Sequence, residues 1–350
     1  MKRCPLVSFC ISTYKRPEFL KSTIKIILKQ KYPNIEIVIS EDPSENTSEK
    51  VVASFRSNKI IYHKNRKHIG MVKSFNKAFS LSKGDFVSIM ADDDPPTADM
   101  LVVFARALKK YPNMKAFWGA SYADVKTKKV AEVNHLKFGF NSLVNKNKKY
   151  GSIEILEPRL FFKQFFKQEI FPHYLWNASL ISRDLVAEIP GVPDYNSAHF
   201  SDFAYLLKIA AKTKFVIINK ELASFALHEQ NYGRKKDTLD EYKRGVIGFN
   251  KTIARLADRF KCKEEYQKFL SDYVIMFLIN RLEHYKKHKY EINPKELFEI
   301  YKDLSKSLTF FKKREMEVYL KLTYYHLYQK ISFVRKIYGD IKLKLISSPK

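Results

Sequence analysis

Three consecutive aspartates at the end of an apolar run constrain this chain more than any other feature. In Gly84-Asp85-Phe86-Val87-Ser88-Ile89-Met90-Ala91-Asp92-Asp93-Asp94-Pro95-Pro96, the run over residues 86–90 reads as a buried strand of a parallel sheet. Pro95-Pro96 then forbids continuation as strand or helix. Adjacent carboxylates repel one another, so a fold keeps three at a strand end only where something cationic meets them. Oxygen ligands alone suit a hard divalent ion, Mg²⁺ or Mn²⁺, shared with substrate phosphates. The alternative is a solvated acidic turn, and the triplet by itself does not choose between the two.

The flanking chain alternates strand and helix. Strands are expected over residues 6–11, 35–39 and 60–62, with helices over 17–30, 48–57 and 71–81, before the strand that leads into the triplet. Pro17 suits an early helical position, and Phe19, Leu20, Ile24, Ile27 and Leu28 recur at helical spacing. Short connections between alternating elements imply right-handed crossovers and a doubly wound sheet. Ligands of such sheets bind outside the carboxyl ends of the strands. That rule gathers Ser12-Thr13-Tyr14, Glu41-Asp42 and Asp92-Asp93-Asp94 around one crevice, an acidic, metal-ready nucleotide site. No G-x-G-x-x-G or G-x-x-x-x-G-K-[ST] fingerprint is present, which disfavours Rossmann dehydrogenases and P-loop enzymes.

Farther along, a helix over 99–111 and a strand from 116 to 120 precede a basic, Asn-rich stretch at 126–150, expected as a mobile loop or hairpin insertion. A helix over 161–170, a short strand or turn at 178–181, a loop at 191–201 and a helix at 202–211 follow. Two strands are expected at 215–218 and 223–227. Helical periodicity dominates after Arg234, so the reading is a catalytic domain over 1–235 and a basic, aromatic-rich helical domain over 236–350. The net charge of +27 predicts attraction to a polyanion: nucleic acid, anionic lipid or glycan. Cys4, Cys10 and Cys262, an odd and widely spaced set, fit a reducing cytoplasm and lack zinc spacing. The N-terminal apolar stretch is too short for a secretory signal and lacks a cleavage site. No later run approaches the ~20 residues of a spanning helix, so the protein is expected to be soluble or peripheral.

The segments "VSFCISTYKRPEFLKSTIKIILKQKYPNIEIVISEDPSEN", "HIGMVKSFNKAFSLSKGDFVSIMADDDPP" and "GVPDYNSAHFSDFAYLLKIA" resemble, in order and spacing, the family-2 glycosyltransferases over about residues 5–231. The resemblance implies a GT-A fold, a nucleotide-sugar donor, and transfer with inversion assisted by Mn²⁺ or Mg²⁺. Ser12 and Tyr14 would line the base pocket, and Asp42 would accept from the uracil N–H, favouring a UDP-sugar. The family's Asp-Asp-Gly-Ser reads Glu41-Asp42-Pro43-Ser44 here. Gly70 would let backbone approach the diphosphate, and Asn76 stands where the family often has Asn. Asp92 and Asp94 form the DxD element, Asp94 on the metal and Asp92 on the ribose, and Asp93 can replace either because the alignment slides by one. Asp92 and His228 join Asp94 as metal candidates. Asp202 matches the catalytic base; the usual Glu-Asp is Ser201-Asp202 here. Each has a structural alternative: Asp202 as a helix N-terminal carboxylate, Asp42 as a turn Asp, His228 as a satisfied structural His. Ser12 and Tyr14 can equally be polar strand-end residues, and Trp118 and Trp176 read better as core than as sugar platforms. His173, His199 and Glu229 fall in the acceptor region without a role.

Residues 321–350 fall outside the resemblance. Seven basic residues there face one acid, Asp340, with apolar residues along one helical face, which suits either an anionic membrane surface or packing with a solvated Lys face. The whole reads as a cytoplasmic transferase, peripheral at the inner face of the cell membrane, that adds a sugar to a glycan or lipid-linked glycan in bacterial surface polysaccharide, lipooligosaccharide or capsule synthesis. The competing readings are a basic nucleic-acid-binding protein and a catalytically inactive GT-A scaffold. Basic residues spread over the whole chain, without a nucleic-acid-binding motif, argue against the first.

Overall fold

The computed structural model describes residues 4–133, 136–171, 176–228, 239–287 and 293–325. By its contacts the chain divides into two compact units, Met1–Tyr266 and Gln267–Lys350.

The first unit is built on one sheet. Strands β1 (Val7–Thr13) and β2 (Ile35–Glu41) are buried along their whole length, which is why they read as continuous rather than alternating apolar runs. β3 (Ile60–Lys64) pairs with β2, and β4 (Phe86–Ala91) with β1, all parallel. The helices that link them are α1 (Pro17–Leu28), α2 (Glu49–Ser54) and α3 (Met71–Leu81). Pro17 opens α1, whose buried stripe of Leu20, Thr23, Ile24 and Ile27 follows the helical period. The strand order β3-β2-β1-β4 reverses direction of winding at β1. The gap beyond the ends of β1 and β4 is therefore the topological switch point at which such sheets open a crevice.

Beyond β4 the sheet becomes mixed. After α4 (Met100–Lys110), β5 (Ala116–Val125) leads to α5 (Lys128–Val133) and β6 (Gly139–Ser142), then β7 (Ile153–Leu156) and α6 (Pro158–Phe166). A 3-10 turn at Trp176–Ala178 precedes β8 (Ser179–Ser182), α7 (Arg183–Ala187), α8 (Ser201–Ala210) and β9 (Phe215–Leu227). The full order is β3-β2-β1-β4-β8-β5-β9-β7, with β6 on β5. β8 runs antiparallel to both β4 and β5, while β9 runs parallel to β5. The carboxyl ends of β1, β4, β5 and β9 thus face the same way.

The sequence expectations differ from this at three places. The stretch at 126–150, expected as a mobile loop or hairpin insertion, pairs β6 antiparallel with β5 as a hairpin would but also contains the unexpected helix α5. The two strands expected at 215–218 and 223–227 are one strand, β9, whose polar Asn219-Lys220-Glu221 passes through a register shift opposite Gly119 and Ala120 instead of a turn. β7 and α7 carry too little periodicity to be read. Trp118 is fully buried among Phe161, Phe171 and Phe215, so it belongs to the core.

Helix α9 (Leu239–Arg259) belongs to the first unit, and α10 (Lys263–Lys287) runs across the division. In the second unit α11 (Pro294–Ser307) packs on α12 (Glu315–Thr323), with Tyr301 stacked on Phe311 at 5.1 Å. Arg314 joins Asp272 and Glu317 there. Among the described residues no helix is long and apolar enough to cross a membrane. Of the basic tail at 321–350, residues 326–350 lie outside the described residues.

The turn into β4 is held by a buried carboxylate. Glu36 Oε1 accepts from Ser8 Oγ at 2.6 Å and from the Lys83 and Gly84 N–H groups at 2.5 and 3.1 Å. A Cβ at Gly84 would lie 2.4 Å from Ser8 Oγ and 2.8 Å from the Leu6 carbonyl oxygen. Backbone on two sides leaves it nowhere to go, so Gly84→Ala is expected to cost about 1–3 kcal/mol. A urea midpoint equal to wild type would contradict this.

Candidate active site

The triplet is organised by partners from distant elements. Thr13, at the end of β1, donates its hydroxyl to Asp92 Oδ2 at 2.6 Å, and Thr23 in α1 donates to the Asp92 carbonyl oxygen at 2.7 Å. Arg16, at the N-terminus of α1, places Nη1 3.3 Å from Asp92 Oδ1 and 2.7 Å from Asp93 Oδ2. His228, just past β9, sets Nε2 2.9 Å from Asp93 Oδ2, with its ring stacked on Phe19 at 4.7 Å. The Ala226 N–H donates to Asp94 Oδ1 at 2.8 Å. Pro95 and Pro96 continue the tie to β9: the Ser224 N–H donates to the Pro95 carbonyl at 2.9 Å, and Pro96 bridges Ala223.

These partners offset the negative charge only in part. Burial, then the charge of Asp93, pushes Asp92 up to about 7 against the pull of Arg16 and Thr13. The same two causes raise Asp94 well above the ordinary carboxylate range. Uncompensated charge on oxygen donors fits a hard divalent cation. Among the described residues no group of three or more His, Cys, Asp and Glu side chains is placed to hold a metal alone. Phosphate oxygens would have to complete its shell, the usual situation for Mg²⁺.

A second cluster stands at the end of β2. Asp42 Oδ1 accepts from Asn65 Nδ2 at 2.9 Å and the Ile69 N–H at 3.1 Å. Oδ2 accepts from the Gly70 N–H at 2.8 Å and lies 3.2 Å from His68 Nδ1. Tyr14 meets the His68 ring edge-on at 4.9 Å. The basic loop is therefore wrapped around one carboxylate. All four acceptor sites of Asp42 are engaged, and His68 is the most exposed of the partners. Gly70, at φ +86°, sits in backbone space that L side chains rarely adopt and caps α3. Ser12 is buried in β1 beside Ser40 and Ala91.

Asp202 lies in the first turn of α8. Burial pushes its carboxyl up to about 6, and the Phe203 N–H, 2.8 Å from Oδ1, pulls the other way. Among the described residues no hydrogen bond or ion pair joins Asp202 to either cluster. The loop that delivers it is clamped on both sides. Asn76 in α3 accepts from the Val192 N–H at 2.8 Å and donates to the Val192 carbonyl at 2.9 Å. Gly191, at φ +71°, has no room for a side chain, because a Cβ would fall 2.4 Å from Asn76 Oδ1. On the other side Tyr195 packs on Gly248 of α9 and donates its hydroxyl to Thr252 at 2.9 Å. Phe200 then holds φ at +67° directly before Ser201-Asp202, a strained conformation for an aromatic residue.

The structure thus brings Asp92, Asp93, Asp94 and His228 together, and Asp42, Gly70 and Tyr14 together. His199 contacts the Tyr242 ring at 5.2 Å, and Trp176 packs between Phe75 and Tyr205. His173 and Glu229 lie outside the described residues. Arg16 escapes sequence reasoning, and Thr13 enters it only as part of the crevice-lining Ser12-Thr13-Tyr14. The available signal is the demand for a cation at the triplet, which points equally to a metal and to an arginine.

The family model for glycosyl transferase family 2 matches residues 8–189. Among similar proteins, abequosyltransferase RfbV of Salmonella typhimurium is 36% identical over 103 residues, 28% of this chain and 31% of that protein. The Escherichia coli UDP-Glc:alpha-D-GlcNAc-diphosphoundecaprenol beta-1,3-glucosyltransferase WfaP is 30% identical over 89 residues, 25% of this chain and 36% of that protein. The chain therefore matches about a third of the length of these relatives. A glycosyltransferase of Rickettsia typhi is 22% identical over 79% of this chain and 81% of its own length. In fold, the chain is similar to Staphylococcus aureus TarS 1-349 in complex with UDP-GlcNAc, with a TM-score of 0.63 at 13% identity over 91% of this chain and 90% of that one. It is also similar to the mannosyltransferase PcManGT of Pyrobaculum calidifontis in complex with GDP-Man and Mn²⁺, with a TM-score of 0.51 at 15% identity over 92% of this chain and 86% of that one.

Removing the bridging guanidinium leaves Asp92 and Asp93 facing each other. Arg16→Gln is expected to cost about 1–3 kcal/mol in EDTA, and added Mn²⁺ to restore part of the loss. Thermal unfolding with and without metal checks this; an unchanged midpoint in EDTA would remove Arg16 from its role.

Proposed function

The chain belongs to glycosyl transferase family 2, and from that premise we propose that it is a metal-dependent inverting glycosyltransferase that moves a sugar from a nucleotide donor to a hydroxyl of a glycan acceptor. The observation that carries the reading is the cluster of Asp92, Asp93, Asp94 and His228 at the carboxyl ends of β4 and β9, beside the switch point. In this proposal Asp94 contacts the metal, with Asp92 and His228 beside it, and Asp92 or Asp93 also reaches the ribose. A bound Mn²⁺ or Mg²⁺ would neutralise the diphosphate leaving group as negative charge builds on it.

The chain's own residues carry the remaining roles. Arg16 holds Asp92 and Asp93 in a fixed register. Tyr14 and Ser12 line the base pocket, and Asp42 accepts the uracil N–H once His68 moves aside. Gly70 admits the diphosphate at the start of α3. Asp202 takes the proton from the acceptor hydroxyl as that oxygen attacks the anomeric carbon in line, which inverts the configuration. Burial gives this carboxylate more basicity than an exposed aspartate has, and it remains ionised at neutral pH. UDP is the favoured nucleotide: the Escherichia coli relative uses UDP-Glc and the staphylococcal neighbour holds UDP-GlcNAc. Relatives named for an abequosyl transfer and for a diphosphoundecaprenol-linked acceptor support a role in bacterial surface polysaccharide synthesis, with a lipid-linked acceptor at the cytoplasmic face of the membrane. We assign the catalytic part to residues 1–235. The basic residues 321–350 are proposed to favour an anionic membrane surface.

Calorimetric titration of UDP tests the site. Binding should require Mn²⁺ or Mg²⁺, disappear in EDTA and disappear in Asp94→Ala. Silence under every metal condition, for GDP, CDP and dTDP as well, would sink the proposal. Nucleic acid that binds steeply more weakly as salt rises would put the basic surface in its place.

The base makes a separate prediction. Asp202→Asn should lower turnover by about 10²–10⁴-fold while leaving UDP affinity in place. In the wild type, transfer should fall as pH drops through about 6, where Asp202 takes up its proton. The stability linkage has the opposite sense. A carboxyl raised in the folded state holds a proton that the unfolded chain has released, so its contribution to stability declines as pH rises from about 4 to about 6. UDP release followed across pH checks the first effect. An acidic limb still present in Asp202→Asn would assign it to another group.

A further inference from the structure

Residues 126–150 carry Lys126, Lys128, Lys129, Lys137, Lys146, Lys148 and Lys149 against one acid, Glu132. The segment has a small core of its own. Val130, Ala131 and Leu143 are buried with Ala123, Val125 and Leu227 at the ends of β5 and β9. A segment that buries these residues nevertheless leaves large aromatic rings in water: Phe138 and Phe140 are each 61% exposed, and Tyr150 is 59% exposed. Phe138 directly precedes β6 and Phe140 lies within it, on either side of Gly139 at φ +85°. Phe140 lies on the Tyr122 ring at 4.8 Å. Ser142 and Tyr150 share Glu221 as hydrogen-bond partner, which sets Tyr150 beside β6.

Lysines outnumber acids around these rings, where Asp124 stands opposite Phe140 and pairs with Lys126, and Glu221 bonds Tyr150. Lys126, Lys128, Lys129, Lys137, Lys146 and Lys149 are exposed. Exposed rings framed by lysines, on a chain of net charge +27, are complementary to a surface that is apolar beneath and anionic above. The topology fixes where that surface would lie. β6 pairs with the last residues of β5, Tyr122–Val125, and the carboxyl end of β5 faces the same way as that of β4. The aromatic edge therefore stands at the end of the sheet that carries Asp92, Asp93 and Asp94.

We infer that Phe138, Phe140 and Tyr150, framed by the lysines of residues 126–149, seat on an anionic lipid bilayer surface and turn the crevice end of the sheet toward it. This docking element is separate from the basic tail and stands whether or not the chain transfers sugar.

Phe140→Trp in the full-length chain reads the contact locally, with wild type as the reference for Trp118 and Trp176. Vesicles of phosphatidylglycerol and phosphatidylcholine in equal parts should shift the emission of the introduced indole to the blue, and brominated lipid in the same vesicles should quench it. Phosphatidylcholine alone should do neither. Phe138→Ser with Phe140→Ser, changes confined to exposed rings, should keep the wild-type thermal midpoint and lower vesicle sedimentation about ten-fold or more. Three results overturn the inference: vesicles that sediment the F140W protein without quenching its added fluorescence, no sedimentation at all, or an emission shift produced by a soluble glycan and not by vesicles. The first moves the contact to another basic surface, and the last makes the rings a sugar platform.

Discussion

Mutual repulsion among Asp92, Asp93 and Asp94 is the constraint around which the first unit is arranged. A buried carboxylate needs a cation or several donors, and three in sequence cannot share one partner. The fold answers with several partners, Arg16 shared between two of the three: Thr13 and Arg16 for Asp92, Arg16 and His228 for Asp93, and a backbone N–H of β9 for Asp94. These come from β1, the start of α1, and the end of β9. The switch point between β1 and β4 and the parallel run of β9 are what bring the three sources to one place. The compensation is partial, as the upward shifts of Asp92 and Asp94 record. That deficit is the charge that the proposed divalent cation would meet.

The other buried carboxylates of the first unit are held differently. Glu36 Oε1, at the amino ends of the strands, closes the turn into β4, and Glu41 takes the N–H and hydroxyl of Ser48 ahead of α2. Asp42 is saturated, but one of its partners is the exposed His68, which can leave at little cost. Asp202 is buried with little beyond backbone N–H groups to stabilise its charge, which suits the proton-acceptor role proposed for it. Its loop is rigid because Asn76 and α9 grip it from opposite sides.

Much of this is legible in the order of residues. Helix α3 falls at residues 71–81 as its apolar spacing predicts, and the strand before the triplet ends within a residue of expectation. Alternation and short connections point to the α/β class, and the family motifs place the candidate residues. β9 reads as two strands because Asn219-Lys220-Glu221 is locally indistinguishable from a turn; pairing with β5 before and after the register shift carries it through. The insertion at 126–150 reads as a mobile loop or hairpin, and α5 goes unread because Val130 and Ala131 pack on Ala123, Val125 and Leu227 of the strands.

The sequence by itself determined where apolar runs must be buried, where prolines and glycines end them, and that three carboxylates at one such end demand positive charge. These follow from forces that act between near neighbours: backbone sterics, the helical and strand periods, and like-charge repulsion. Only the tertiary structure decided which cation answers. Arg16 lies 76 residues from Asp92 and His228 lies 135 residues from Asp93. Pairing across such separations depends on the order and register of strands, which is set by closing the whole sheet at once and is written in no short stretch of the chain.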